Sequence, residues 1–175
     1  MGFGPTRDLG PAIAVWGATS IDETFDDIRW TCTGEDAEVF EAVFGATPVD
    51  TIHLGYSACS VTVPATRITL TALATLLPGG TYPNSEYVGV KPGLSVGTSQ
   101  YENGLPLFIK PIVDGVAVDN GRWLRLERTY PVANFDVGFN LRDQRVYGLT
   151  FKAHPDETSA LLWSAGEVAT AASYT

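Results

Sequence analysis

Six consecutive residues, Asp22-Glu23-Thr24-Phe25-Asp26-Asp27, hold four carboxylates, the densest cluster of reactive groups in the chain. Paired carboxylates can do acid/base work on a sugar or hold calcium. A calcium loop of the EF-hand kind needs oxygen ligands at alternate positions, a central Gly and a distal Glu, and this run lacks that pattern. A glycosidase pairs carboxylates that lie far apart in sequence, which no single run encodes. In an extended chain Asp22, Thr24 and Asp26 share one face, so the expected outcome is a solvated acidic strip. The two histidines, His53 and His154, stand outside HExxH and every other metal spacing. No GxSxG elbow is present, and no GxxxxGK[ST] or GxGxxG follows a strand. Aromatics are not interleaved with basic residues in the manner of a single-strand binder. Cys32 and Cys59 form neither a metal pattern nor a stapled framework. Two reduced, core-facing thiols are the expected state, with a disulfide between them as the alternative. No enzyme, no metal and no cofactor is therefore expected.

Charge narrows the partners. Residues 1–50 carry ten acidic and two basic side chains, and residues 51–175 carry ten acidic and nine basic. Nearly all of the net charge of −9 thus lies in the first third. A groove-tracking DNA binder needs clustered Lys and Arg, and this chain has no such cluster. The N-terminus has no charged-then-apolar leader, and no apolar run approaches the ~20 residues of a membrane span. Synthesis in the cytoplasm is expected.

The elements that must position these groups are mostly strands. Eighteen glycines and eleven prolines among many Val, Thr and aromatic residues favour strands joined by turns. Pro11–Gly17 reads as a first strand and Ile21–Thr33 as a second whose buried face switches part-way. Gly34-Glu35-Asp36 reads as a turn, and Glu38–Phe44 as a strand, with a helical turn as the alternative. Thr51–Val63 is long and changes parity, with Ile52, Leu54 and Tyr56 on one face and Cys59, Val61 and Val63 on the other. One helix is expected over 69–77, capped by Thr69 and stopped by Pro78-Gly79-Gly80. Its apolar stripe would be Leu70, Leu73, Ala74 and Leu77. Residues 81–100 read as a long loop with one strand near Tyr87–Val90. Leu105–Val113, interrupted by Pro106 and Pro111, should lie at an edge or carry a bulge. Asp114-Gly115 and Asn120-Gly121 are turn signals, and Arg122–Tyr130, Val132–Leu141 and Arg145–Ala153 should form a meander. The domain layout is an N-terminal arm over 1–10, one β domain over 11–164 and a C-terminal arm over 165–175.

Several of these stretches, in this order, carry a resemblance. The turn GATPVD (45–50), the glycine-punctuated strand IHLGYSACSVTVP (52–64) and TLTALATLLPG (69–79) are followed by LPLFIKP (105–111) and VYGLTFKAHPD (146–156). Together they resemble the tail tube (major tail) proteins of long-tailed bacteriophages. The resemblance implies a mainly-β fold of two packed antiparallel sheets, sandwich- or barrel-like, with one flanking helix at about 69–77. It implies a structural virion protein that self-assembles into stacked hexameric rings, forming a hollow conduit for DNA ejection. Its partners would be further copies of itself, then tape measure, tail terminator and baseplate proteins. Double-stranded DNA would pass through transiently, and no membrane would be involved. Assembly would take place in the host cytoplasm and the product would be part of the virion.

On that expectation Asp22, Asp26 and Asp27 face the lumen, where carboxylates repel phosphate. Glu35, Asp36 and Glu38 belong to a ring-stacking loop. Arg122, Arg125, Arg128, Arg142 and Arg145 meet acidic surfaces of adjacent subunits. Other proteins of the same tail fold (a terminator, a distal tail protein, a gene transfer agent tube) would look alike in sequence. A β-sandwich module binding carbohydrate or a receptor is the reading from a different class, and would display some of Trp16, Trp30, Trp123 and Trp163 as an exposed platform.

Overall fold

A ladder of antiparallel strands organises the chain, and the longest of them decides its shape. The structure, a computed structural model, describes residues 11–21, 23–24, 27–83, 86–113, 116–117, 122–132 and 146–166. In chain order come β1 (Ala12–Trp16), β2 (Thr19–Ile21), β3 (Glu23–Thr24), β4 (Arg29–Phe40) and β5 (Pro48–Arg67). The helix α1 (Leu70–Leu76) follows, then β6 (Gly80–Thr81), β7 (Gly89–Val90), β8 (Leu105–Val113) and β9 (Val116–Ala117). Last are β10 (Trp123–Pro131), β11 (Tyr147–His154) and β12 (Trp163–Gly166). The mainly-β architecture with a single helix matches the expectation.

Ten strands form one sheet in the order β2-β1-β8-β10-β11-β5-β3, with β4 added to β5, β9 to β8 and β12 to β10; β6 and β7 pair separately. β2 and β3 sit at the two ends of this path, yet Ile21 and Glu23 are two residues apart in sequence. Two residues span at most ~7 Å, so the ends of the sheet must meet. The sheet is therefore curled into a barrel-like wall whose opposed faces enclose the core. Inside lie Ala14, Trp16, Ile21, Val61, Val63, Ala65, Leu107, Leu126, Leu149 and Phe151. Trp16 on β1 and Phe151 on β11 are not strand neighbours, and their rings approach to 6.0 Å across the interior. Trp16 Nε1 donates to the Thr129 carbonyl at 3.0 Å, which satisfies the polar end of a buried indole.

Several expectations are corrected. The stretch 21–33 is not one strand: it divides among β2, β3 and the start of β4. Gly34-Glu35-Asp36 is not a turn but the middle of β4, which runs unbroken to Phe40. The chain reverses later, through a 3-10 turn at Ala42–Phe44 and Gly45 at φ +64°. Turn-type residues are tolerated mid-strand because the partner absorbs the irregularity. Opposite single steps on β4, β5 advances by two residues three times, leaving Ser57, Leu54 and Val49 as the extra ones. The parity change read in 51–63 has this bulged geometry as its cause.

β8 is not an edge strand, since β1 pairs along one side and β10 along the other. The bulge half of that expectation holds, because the β10 register shifts between Leu126 and Thr129, beside Pro106. The Thr129 hydroxyl, fully buried, donates to the Leu105 carbonyl at 2.9 Å. The helix is where it was expected, with the Thr69 hydroxyl accepting from the Ala72 N–H at 3.2 Å. Its buried residue is Leu76, however, while Leu70 is exposed. Ala165 and Gly166, assigned to the C-terminal arm, complete β12 against β10. The strand expected over 132–141, both turn signals and the residues 1–10 lie wholly or almost wholly outside the described residues.

Candidate assembly surface

β4 and β5 outrun the barrel wall. Residues 59–65 of β5 are paired with β11, and residues 29–33 of β4 lie against 58–62 of β5. Beyond that point β4 and β5 are paired only with each other among the described residues, over 34–40 and 48–56. Among the described residues, no strand pairs with the backbone N–H and C=O groups along either outer edge of this two-stranded arm. An edge of that kind is a template for another strand.

The arm's side chains are unlike those of an ordinary solvated hairpin. Phe40, Val43, Phe44, Val49, Ile52, Leu54 and Tyr56 are all exposed, Val43 at 87% and Leu54 at 64%. Seven large apolar groups on one projection form the kind of patch that marks an interaction site. Around them stand Glu35, Asp36, Glu38, Glu41 and Asp50, with no Lys or Arg anywhere in 34–56. His53 Nδ1 lies 2.7 Å from a carboxylate oxygen of Asp36 across the ladder, and its ring meets the Tyr56 ring edge-on at 5.5 Å.

The acidic residues expected to stack rings, Glu35, Asp36 and Glu38, are therefore on a strand of this arm, brought together and exposed. Of the expected lumen carboxylates, Asp27 is exposed just ahead of β4, while Asp22 and Asp26 lie outside the described residues. Arg122 is exposed at the entry to β10. Arg125 is engaged within the chain, 2.7 Å from Glu127, with both side chains largely buried. Arg128 donates to Asp156 at 3.1 Å and lies over the Tyr101 ring. That pairing raises the Arg128 pKa. The Asp156 carboxylate is held below its usual range, first by the Ser159 backbone N–H and then by Arg128. Arg142 and Arg145 lie outside the described residues.

Cys32 and Cys59 are direct cross-strand neighbours, Cα–Cα 4.1 Å, and are joined in a disulfide. The expectation of two reduced thiols is overturned. Both residues were read correctly as core-facing, but strand pairing across a separation of 27 residues is not visible in spacing. Of the four tryptophans only Trp30 is exposed, at 36%. Trp16 is in the core, Trp30 and Trp163 pack edge-on at 4.8 Å, and Lys110 covers Trp123 at 4.0 Å. Among the described residues no three His, Cys, Asp or Glu gather as metal ligands, and no helix is long and apolar enough to cross a membrane. The apolar arm was missed in the sequence, although the parity switch after Tyr56 marks where β5 leaves the wall.

Comparison with known proteins agrees with this geometry at the level of fold. No protein-family profile matches the chain, and no curated protein matches it by sequence. Among solved structures the fold is similar to a chain of an extracellular contractile injection system, the PVC sheath–tube complex in its extended state. The TM-score is 0.55 at 11% identity, over 93% of this chain and 94% of that one. The likeness is one of fold, and it extends over nearly the whole of both chains.

Proposed function

We propose that this chain is a structural, non-catalytic subunit of a tail-like tube, assembling through its arm with further copies of itself. The observation that carries the reading is the arm: two unpaired edges and seven exposed apolar side chains on a fold similar to one in a sheath–tube complex. Burying one such side chain contributes about 1.5–3 kcal/mol. Association costs about 4–15 kcal/mol in lost translational and rotational freedom. Seven side chains supply about 10–21 kcal/mol, of the order of that cost, whereas one falls below its lower end. Adding strands from neighbours also removes both edges, which an exposed β arm must otherwise protect by charge or bulges.

In the finer form of the proposal, hexameric rings stack into a hollow tube that conducts DNA out of a phage-like particle. The acidic first third then lines or borders the bore, where carboxylates let phosphate pass without sticking. Tape measure, terminator and baseplate proteins are the partners at its ends. Arg122, Arg142 and Arg145 are the candidates for contact with acidic surfaces of adjacent copies.

Negative-stain microscopy with analytical ultracentrifugation of the purified chain tests this reading. Rings, or tubes lengthening with concentration, are the expected result. A chain that stays single at millimolar concentration, or that is retained on a glycan column as a monomer, refutes it.

A further inference from the structure

The disulfide occupies a particular place in the arm. Cys59 is the last residue of β5 held from both sides, with Cys32 of β4 opposite it on one side and Ala153 of β11 on the other. Immediately beyond, the regular register ends: Thr33 lies opposite Ala58, Gly34 opposite Tyr56, and two further one-residue shifts follow before Phe40. A ladder interrupted three times and open on both edges specifies its register weakly, and a slip by one residue turns every side chain to the opposite face. The covalent tie therefore stands at the boundary between the firmly held wall and the segment whose register most needs fixing. Cys59 is 2% exposed and Cys32 is half-buried, so the pair is reached through Cys32.

We propose that Cys32 and Cys59 are a redox clamp that sets the register of the assembly arm and closes when the chain meets a small-molecule disulfide. This rests on the reading of the arm as the assembly surface. A chain made in a thiol-rich compartment begins with both thiols reduced. The Cys32 thiolate attacks the oxidant RSSR, forming a Cys32–S–S–R mixed disulfide and expelling one RS⁻. The Cys59 thiolate then attacks the Cys32 sulfur and expels the second RS⁻. Two electrons pass from the protein thiols to RSSR, and their two protons appear on the two RSH released. An open clamp leaves the arm free to shift register while copies come together; a closed one holds the arm as assembled.

The test uses the full-length chain oxidised with glutathione disulfide, the same chain kept in tris(2-carboxyethyl)phosphine, and the Cys32→Ser/Cys59→Ser variant. Amide hydrogen exchange at a concentration below assembly is the first readout. Residues 34–40 and 48–58 should exchange about tenfold faster in the reduced chain and the variant than in the oxidised chain. Residues 123–131 and 147–154 should not change. The reduced parent chain removes any doubt about the folding of the variant. Equal exchange in the arm across redox states overturns the clamp, as does persistence of two alkylatable thiols after glutathione disulfide. Microscopy of the same samples separates the two readings. If no rings form in either redox state while arm exchange responds, the clamp stands and the assembly reading falls. If rings form with equal arm exchange, the assembly reading stands and the clamp falls.

Discussion

Arg125 and Glu127 stand two apart on β10 and so share a face, opposite the one that Leu124 and Leu126 present. They meet at 2.7 Å, and the Ser164 hydroxyl donates to Glu127 at 3.2 Å. Removing one partner of a buried pair strands the other charge, at a cost of about 3–5 kcal/mol. Glu127→Ala should therefore lower the urea-unfolding free energy by about 3 kcal/mol, whereas replacing both partners with Met and Leu should be nearly neutral. Equal losses from single and double replacement would show that the pair carries no stranded-charge penalty. A second cluster, Arg128, Asp156, His154 and Tyr101, makes stability depend on pH. Burial, and then the charge of Lys152, lowers the His154 pKa, and its Nε2 is buried without a hydrogen-bond partner. For His154 and Asp156 alike, the folded chain binds fewer protons than the unfolded one, so both contributions are complete at higher pH and lost on acidification. The urea midpoint should fall first as pH drops from the ordinary imidazole range through the lowered His154 value. It should fall again between the ordinary carboxylate range and the lowered Asp156 value. His154→Gln should remove the upper step and Asp156→Asn should shrink the lower; an upper step that survives His154→Gln would assign it elsewhere. None of these pairings was legible in the sequence. Arg125 and Arg128 stood out as cations, but their partners come from strand register and from a loop 28 residues away.

Elements were more legible than contacts, because local chemistry marks their ends. The helix was readable from Thr69 before it and Pro78-Gly79-Gly80 after it, and its boundaries agree to within a residue. Its inward face was not, since a seven-residue helix shows too little periodicity to choose between Leu70 and Leu76. Likewise the length and bend of β5 showed in its alternation. The bulges on β5 that carry Gly34, Glu35 and Asp36 of β4 through the ladder did not, because bulges belong to a pair of strands and not to one. The helix end supplies a prediction at this scale. A Cβ on Gly80 would collide with the carbonyl oxygens of Ala74 and Leu77, both backbone and unable to swing away. Gly80→Ala should cost about 1–3 kcal/mol, the range for overpacking a site that cannot relax. Thr69→Ala, which removes only the cap, should cost about 1 kcal/mol. Thermal and urea unfolding of the two variants check the order. A larger loss at Thr69 would mean that the chain after α1 yields easily, and that Gly80 is not what fixes it.

At the scale of the whole molecule, the barrel wall and the arm divide the work. The wall closes around the core, while the arm leaves apolar groups exposed and, among the described residues, strand edges unpaired. Substitutions on the arm should then separate folding from assembly. Ile52 and Leu54 lie outside the core, so Ile52→Asp/Leu54→Asp should change the unfolding free energy by no more than about 0.5 kcal/mol. Its self-association should weaken at least about 100-fold, because burying an Ile or Leu side chain contributes about 1.5–3 kcal/mol and each 1.4 kcal/mol is about tenfold in affinity. Charge acts on the same event with opposite sign. Five carboxylates and no cation on each arm repel one another when arms converge. Raising salt toward about 0.5 M shortens the Debye length to a few ångströms and should promote assembly of the parent chain. Sedimentation velocity over a concentration series reads both effects. Normal unfolding with lost association in the double variant, and tighter association of the parent in salt, are expected together. A double variant that assembles as readily as the parent would place the contact on the wall instead, and would leave the arm's apolar side chains without a role in joining copies.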